Sequence, residues 1–325
     1  MHKTISLALG SICVVFLFFT MISAIRFVQS GWQPPQAEPR QSDRYRLVLI
    51  TQDLGTPFWN GVGEGAARQA RELGANLEVW GSYGEDREDF LKQLEIAIDS
   101  KVDGVIVQGM DTEAFDDLTK VKAAFYGIPV ITVASDVPMS GSMRRTYVGS
   151  DPYEAGRLIA KRLVRDMGNK GTVVLMADER DEYDQLRRLE GVRSVLAAYP
   201  AIALEEVRTP GEQERVIAAT QESMNCFPDV NAFISVDAGL TGAMVQEIGR
   251  RAQVDPYHIY SFDDNPDILP LLREGKLDAI VEQSPEEMGE MSVRLMTEWL
   301  SGETVPLNAD GYLTDIRMLT AADLQ

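Results

Sequence analysis

From Arg46 onward, short runs of apolar residues alternate with longer segments in which apolar residues recur every three or four positions. The first run, residues 47–50, reads Leu-Val-Leu-Ile, a composition typical of a strand buried on both faces. The following segment, Pro57 to Leu73, has the marks of a helix, with Thr56 as N-cap and Gly74 after its end. Strands that alternate with amphipathic helices predict parallel sheets with right-handed crossovers.

The alternation occurs in two successive series. The first ends with a predicted strand at 128–133, and the second begins with a predicted helix at 152–167 and ends with one at 286–300. The pattern therefore predicts two doubly wound, Rossmann-like α/β lobes, and the length of 325 residues fits two domains. In such sheets, ligands bind beyond the carboxyl ends of the strands.

An uncharged apolar run, residues 5–25, precedes this body and lies between Lys3 and Arg26. At about 1.5 Å per residue, a helix of this length crosses the roughly 30 Å hydrocarbon core of a bilayer. We predict that residues 1–30 contain an N-terminal transmembrane helix that anchors an exported body, because the flanking charges favour an inside N-terminus. A signal peptide cleaved after Ala24 or Ser30, and a buried helix of a globular domain, are the alternatives. Residues 31–45, rich in Pro, Gln and charge, are predicted to be a stalk.

Composition narrows the classes of function. The chain has 31 Lys+Arg against 50 Asp+Glu, a net charge of -19, which argues against nucleic-acid binding. Two cysteines and two histidines are too few for a disulfide framework or a metal site rich in these residues, so we expect no metal and no cofactor. The segment 61–65 superficially matches a dinucleotide-binding glycine pattern, but it lies within a predicted helix and not at a strand end. The acidic run 178–184 lacks the glycine and terminal glutamate of a calcium loop and predicts a solvated loop that leads into a helix.

Polar side chains and an aromatic pair follow the predicted strands. Carboxylates accept pairs of sugar hydroxyls in strong hydrogen bonds, and aromatic rings stack on the C–H face of a pyranose. These groups together indicate a neutral, polyhydroxylated ligand. The alternative for Asp237 and Asp263 is that each only caps the helix after its strand. The polar and aromatic residues that follow the predicted strands are Asp53, Phe58, Trp59, Asp136, Asp237, Asp263 and Gln283.

Seven short strings occur in order along the body: TPFW at 56–59, GIPVITV at 127–133, VGSD at 148–151, RLEG at 188–191, FPDVNA at 227–232, SFD at 261–263 and QSP at 283–285. With them, the chain from Arg46 to about Leu319 resembles the type I periplasmic sugar-binding proteins, the ribose/galactose-binding group of ABC-transporter substrate-binding proteins. The resemblance implies two lobes that close over a monosaccharide about a hinge near Ser150, Gln283 and Asp310. The N-terminal lobe would then hold residues 46–150 plus 284–310, and the C-terminal lobe residues 151–283 plus 311–325.

The resemblance also implies site residues. It assigns no catalytic residue and places ligand contacts at Thr56, Phe58, Trp59, Asp136, Asp237, Asp263 and Gln283, with Asp53 and Arg188 as further candidates. The chain departs from the family pattern at Ala134, Leu186 and Gly211, where an aspartate, an arginine or asparagine, and an aromatic residue are usual. We therefore expect a ligand other than ribose.

Four functions can be compared for this sequence. We expect a sugar receptor that feeds an ABC permease, with its ligand-binding body outside the cytoplasm at the cell membrane. The alternative is a membrane-anchored sugar sensor that signals to a two-component histidine kinase, since an anchor raises the effective concentration of a receptor beside its partner. An enzyme that uses Asp237 and Asp263 as a carboxylate pair is not expected, because the resemblance implies binding alone. A sugar-responsive repressor would need a DNA-binding N-terminus in place of the apolar run.

Overall fold

The computed structural model of the chain describes residues 17–21, 45–83, 86–180, 182–251, 257–263 and 268–324. It divides into two compact units, Met1–Asp43 and Arg44–Gln325. Within the apolar run, residues 17–21 are helical and exposed; the rest of the run and nearly all of the predicted stalk lie outside the described residues. Among the described helices, none is both long enough and apolar enough to cross a bilayer.

The first lobe of the body is built on a wholly parallel sheet with the order β11-β5-β4-β3-β1-β2. Its strands are β1 (Arg46–Thr51), β2 (Asn76–Gly81), β3 (Gly104–Gln108), β4 (Val130–Val133), β5 (Thr146–Gly149) and β11 (Tyr312–Leu313). Its helices are α1 (Pro57–Leu73), α2 (Arg87–Asp99), α3 (Glu113–Asp116), α4 (Ala124–Tyr126), α5 (Met139–Ser142) and α11 (Pro285–Ser301), with a π-helical stretch, Asp117–Ala123, between α3 and α4.

The second lobe repeats the same strand order, β12-β10-β9-β8-β6-β7. Its strands are β6 (Gly171–Asp178), β7 (Ile202–Thr209), β8 (Val230–Ser235), β9 (His258–Phe262), β10 (Ala279–Glu282) and β12 (Arg317–Leu319). Its helices are α6 (Pro152–Met167), α7 (Tyr183–Leu196), α8 (Gln213–Cys226), α9 (Ala238–Arg251) and α10 (Ile268–Arg273), followed by a 3₁₀ turn, Ala321–Leu324. The prediction of two doubly wound α/β lobes is confirmed.

Each sheet is covered by helices on both faces, which explains why the strands are apolar on both sides. In the first lobe, α1 and α11 pack on one face and α2 with the π-helical stretch on the other. In the second lobe, α6 and α7 cover one face, while α8, α9 and α10 cover the other. Strand residues such as Leu49, Ile106 and Val173 are fully buried as a result.

Two helix pairs meet through glycines. A Cβ atom on Gly65 of α1 would lie 2.0 Å from the carbonyl oxygen of Glu286 in α11, and one on Gly289 would lie equally close to the carbonyl of Val62. In the second lobe, a Cβ atom on Gly156 of α6 or on Gly191 of α7 would likewise lie 2.1 Å from a carbonyl oxygen of the facing helix. The glycines at 61–65 thus belong to a helix, as predicted, and Gly65 serves close helix packing.

Three chain segments connect the lobes. β5 leads to α6 through Ser150, β10 leads to α11 through Gln283, and β11 leads to β12 through residues 314–316. Tyr312 and Leu313 pair with β5 of the first sheet, so the third crossing follows Leu313, three residues beyond Asp310. β12 enters its lobe directly from the hinge and therefore runs antiparallel to β10, in an otherwise parallel sheet.

The crossings are tied to one another by hydrogen bonds. Ser150 Oγ donates to the side-chain oxygen of Gln283, and Ser284 Oγ donates to the carbonyl of Asp315 at 3.1 Å. The amide of Thr314 donates to the carbonyl of Gly149 at 2.9 Å. Three adjacent, cross-linked segments form the narrow waist on which the two lobes can rotate.

Candidate functional site

A cavity of about 550 Å³ lies between the lobes, within the range of about 300–1,000 Å³ usual for small-molecule sites. Its lining comes from segments just beyond the carboxyl ends of strands in both sheets, which is where doubly wound sheets bind ligands. The polar and aromatic side chains of the lining are Gln52, Asp53, Thr56, Phe58, Trp59, Gln108, Ser135, Glu182, Asp184, Arg188, Asp237, Asp263 and Gln283.

The first lobe supplies the aromatic wall. Thr56 caps α1 by accepting a hydrogen bond from the amide of Trp59 at 3.3 Å, and this cap directs the chain so that the first turn of α1 faces the cavity. Phe58 and Trp59 meet edge to face, with ring centroids 5.5 Å apart. Trp59 is buried and belongs to the core under α1, whereas Phe58 is half-buried, so Phe58 offers the more accessible ring to a ligand.

Two glutamines that the sequence reasoning missed lie beside this wall. Gln52 directly follows β1 and Gln108 ends β3. The side-chain oxygen of Gln108 accepts from the amide of Gln52 at 3.0 Å and from Thr51 Oγ1 at 3.2 Å. Both residues stand at strand ends, so the rule that found Asp53 and Asp263 could have found them as well.

The second lobe supplies a buried charge network around Arg188. Its guanidinium donates to the carbonyl of Val236 at 2.7 Å and to Asp263 Oδ2 at 3.3 Å, and it lies 4.6 Å from the centre of the Phe262 ring. Burial alone would lower the pKa of Arg188, but the carboxylates of Asp263, Asp184 and Asp237 raise it above its usual value. Arg188 is therefore a permanent cation that holds the carboxylates of this wall in place.

Asp237 is fixed by its own lobe. Its Oδ1 accepts from the amide of Gly239 at 2.7 Å, and its Oδ2 accepts from Gln185 Nε2 at 3.1 Å. The first bond is the helix-capping contact that was the alternative interpretation of this residue. Because Asp237 also lines the cavity, the capping contact orients its carboxylate without removing it from the site.

Asp263 and Gln283 join the site to the hinge. Gln283 Nε2 donates to Asp263 Oδ1, while the oxygen of the same amide accepts from Ser150. Asp263 therefore receives hydrogen bonds from Gln283 and Arg188, and one carboxylate contacts the second lobe and a crossing segment at once. Whether Asp263 also caps a helix depends on residues 264–267, which lie outside the described residues.

Asp136, which was expected to contact the ligand, does not line the main cavity. It lines two smaller cavities instead. Its carboxylate binds the guanidinium of Arg144 through two contacts of 2.6 Å and accepts from Thr132 Oγ1 at 2.8 Å. The chain turns at Ala134, so the side chain of Asp136 points back into the first lobe.

Ala134 and Asp263 occupy equivalent places in the repeated lobes, directly after β4 and β9. Both have a φ of +63°, and the amide of each donates to the neighbouring strand, to Val148 at 2.9 Å and to Val281 at 2.8 Å. Aspartate tolerates this left-handed conformation, whereas alanine adopts it only at a cost in free energy. The first lobe thus presents a methyl group where the second presents a carboxylate.

Glu182 and Asp184 are further lining residues that the sequence reasoning missed as ligand-facing groups. They belong to the run 178–184, for which the sequence predicted a solvated loop that leads into a helix. That helix, α7, begins at Tyr183, so Asp184 lies in its first turn and Arg188 one turn later. Within the described part of 178–184, Asp178 is buried and paired with Arg180 at 2.7 Å.

The family model of the periplasmic binding protein domain matches residues 47–304. This span covers most of both lobes and all the lining residues of the cavity. The chain is a member of the periplasmic binding protein family. The resemblance inferred from the seven strings is thereby confirmed.

Relatives of this periplasmic binding protein include the ribose import binding protein RbsB of Escherichia coli K12, 23% identical over 84% of this chain and 90% of the relative. The D-ribose/D-allose-binding protein of Pseudomonas aeruginosa is 22% identical over 86% of this chain and 90% of its own length. Among solved structures, GanP, a glucose-galactose binding protein from Geobacillus stearothermophilus, superimposes with a TM-score of 0.79 at 28% identity. It covers 87% of this chain and 99% of its own. The XylFII–LytSN complex gives a TM-score of 0.76 at 25% identity, covering 87% of this chain and 100% of its own.

Proposed function

We propose that this periplasmic binding protein is the extracytoplasmic sugar receptor of an ABC-type uptake system. It binds a monosaccharide or related polyol in the cavity between its lobes and closes around it by rotation about the three crossings. The observation that carries the proposal is the lining of that cavity, which combines an aromatic pair with carboxylates and amides in a member of this family. Relatives named as ribose and ribose/allose binding proteins support the same ligand class.

Within this function, we assign Thr56, Phe58, Trp59, Asp237, Asp263 and Gln283 to ligand contact, together with Asp53, which was a further candidate. Phe58 stacks on the apolar face of the sugar, and Asp263 and Asp237 accept its hydroxyls. Arg188 serves chiefly as the internal counter-ion of these carboxylates. No step of this mechanism breaks a covalent bond, so we propose that the protein binds its sugar and does not turn it over.

The test is a thermal-shift screen of the full-length chain against pentoses, hexoses, inositols and disaccharides, followed by calorimetry on each hit. A sugar present at 100 times its dissociation constant stabilises a protein by about 2.7 kcal/mol, a shift of several degrees. A selective sugar whose concentration is unchanged after long incubation supports the proposal. No stabilisation by any member of the panel would refute sugar binding, and consumption of a sugar would refute a purely binding role.

We further propose that the apolar run at 5–25 remains as the membrane anchor of this receptor, with the body outside the cytoplasm. Its length and its flanking charges support this assignment. Mass spectrometry of the protein from its native host, with membrane fractionation, tests it. An intact N-terminus in the membrane fraction is expected; a chain that begins near residue 25 or 31 would instead establish a cleaved signal peptide. The sensor alternative receives less support than uptake, because the curated relatives are named for import or sugar binding.

A further inference from the structure

Side-chain contacts between described residues join the lobes directly, at the rim of the cavity and away from the crossings. Arg87 of the first lobe lies 3.1 Å from Glu182 of the second, measured from Nη2 to Oε1. Ser135 Oγ of the first lobe donates to Asp184 Oδ1 of the second at 3.0 Å. Neither pair is linked by the chain nearby, so both contacts depend on how closely the two cleft walls approach.

Both acceptors belong to one helix end. Glu182 is the N-cap residue of α7, and Asp184 lies in its first turn, where the helix dipole favours negative charge. The helix itself is held to its lobe by the close approach of Gly191 to the backbone of α6. The two acceptors therefore move as a rigid part of the second lobe, and any rotation that opens the cleft pulls them away from Arg87 and Ser135 together.

Arg87 differs from the other three residues in its relation to the ligand site. Ser135, Glu182 and Asp184 line the main cavity, but Arg87 does not; it lines a small side cavity of about 50 Å³. Arg87 therefore adjoins the main cavity through Glu182, the lining residue that it contacts. The side chains of Arg87 and Glu182 are 39% and 24% exposed, so their attraction is partly screened by solvent and by salt.

We propose that Arg87–Glu182 and Ser135–Asp184 form an interlobe latch that stabilises the closed arrangement of the cleft. The inference rests on the proposed hinge closure but not on the identity of the sugar. Arg87 is a positioning residue in this device: it biases the lobes towards closure and holds Glu182 at the cavity rim. Removing it shifts the equilibrium towards the open arrangement. The apparent affinity for any ligand then falls in proportion to the fraction of molecules that are closed.

The test measures the distance between the lobes and needs no ligand. Spin labels are placed at Glu113→Cys and Glu214→Cys, exposed positions of the first and second lobe, in a full-length chain carrying Cys13→Ser and Cys226→Ser. Pulsed electron–electron double resonance then gives the distribution of distances between the two labels. Arg87→Glu places two like charges together. It is expected to raise the open-to-closed ratio by at least about two- to fivefold, the amount that partly exposed ion pairs contribute. Ser135→Ala is expected to change it in the same direction.

Two further variants make the result decisive. The exchange Arg87→Glu with Glu182→Arg restores opposite charges and is expected to restore the wild-type distribution. Arg68→Glu is the matched control, because Arg68 pairs with Glu286 at 2.7 Å inside the first lobe and has a similar exposure of 42%. It is expected to leave the interlobe distances unchanged, and 1 M NaCl is expected to shrink the Arg87 effect.

The latch is refuted if Arg87→Glu leaves the distances unaltered, if the charge exchange fails to restore them, or if Arg68→Glu shifts them equally. These outcomes are independent of the sugar screen. A failed screen with a positive distance result would remove the proposed ligand class but keep the latch, and the reverse outcome would remove only the latch.

Discussion

At the scale of single residues, the site depends on which strand-end aspartate faces the cavity. Asp263 receives hydrogen bonds from Arg188 and Gln283 and lines the cavity, whereas Asp136 is enclosed by Arg144 and Thr132 in the first lobe. Both follow strands and both are aspartates, so a sequence rule treats them alike. The difference arises from position, because Asp263 directly follows β9 whereas Asp136 stands three residues after β4, and from the arginine that each carboxylate meets.

We expect Asp263→Asn to weaken sugar binding by about 2 kcal/mol, roughly 30-fold, because it removes a charge-assisted acceptor from the ligand hydroxyls. Asp136→Asn is the matched control. It breaks an ion pair in the first lobe and is expected to lower the free energy of unfolding while the sugar affinity stays within twofold. Calorimetric titration and denaturant unfolding of both variants check this pair. Equal losses of affinity would mean that Asp136 acts on the ligand after all.

The backbone at Ala134 gives a second residue-scale prediction. Its φ of +63° suits glycine, so Ala134→Gly is expected to raise the free energy of unfolding by about 0.5–1 kcal/mol. Ala67→Gly, in the middle of α1, is the control of opposite sign and should lower it by about 1 kcal/mol. Urea unfolding of both variants measures the difference. A loss of stability in Ala134→Gly would contradict the assigned strain.

At the scale of elements, the helix pairs α1–α11 and α6–α7 are set by glycines and not by their apolar stripes alone. α11 follows the second crossing in the chain yet packs on the first lobe, and Gly65 and Gly289 allow that approach. Within the segment 61–65, Gly65 therefore has a packing reason. A dinucleotide-binding loop would need the first of them at the strand end.

We expect Gly65→Ala to lower the free energy of unfolding by at least about 1–3 kcal/mol, because its Cβ would lie 2.0 Å from a backbone oxygen that cannot move alone. Gly63→Ala, two residues earlier in the same helix, is the control. Its Cβ would lie 3.7 Å from the side chain of Val79, an ordinary contact, so the better helix propensity of alanine should raise stability by up to about 1 kcal/mol. Thermal and urea unfolding distinguish the two; similar effects in both variants would contradict the packing role.

At the scale of the whole molecule, the ligand site and the hinge share a residue. Gln283 bonds Ser150 in the first crossing and Asp263 in the site, so hinge geometry and carboxylate position change together. Tyr147 supports the same region by contacts to the carbonyls of Ala134 and Ser150 at 3.0 and 2.9 Å. Burial raises the pKa of Tyr147 well above its usual range, with Asp136 adding to the effect, so it stays a neutral donor at all physiological pH values.

We expect Gln283→Leu to lower both the free energy of unfolding and the sugar affinity, each by about 1–3 kcal/mol. The substitution leaves the buried Ser150 hydroxyl and the Asp263 carboxylate without this partner. Gln213→Leu, at the exposed start of α8, is the control and should change neither quantity. Unfolding and calorimetric titration of the two variants provide the comparison. A loss confined to stability would separate the hinge from the ligand site.

The sequence by itself determined the two-lobed α/β architecture, the edge of the sheets that carries the site, and the family. These follow from local information, because periodicity and helix caps act over a few residues and parallel strands all end at one edge. It also identified Phe58, Trp59, Asp237, Asp263 and Gln283 as cavity residues before their surroundings were known. The domain boundaries and the ligand contacts themselves stay predictions of the same sequence.

Tertiary structure decided the rest. Whether Arg188 supports a loop or the site depends on Asp263, 75 residues away, and whether Asp136 faces a ligand depends on Arg144 across a turn. The exact start of the third crossing depends on Tyr312, which joins β5 through backbone hydrogen bonds that carry no side-chain signal. The Arg87–Glu182 contact joins residues of different lobes, so only the approach of the two lobes brings them together. Long-range pairing of this kind is fixed by packing, and a single sequence records it only indirectly.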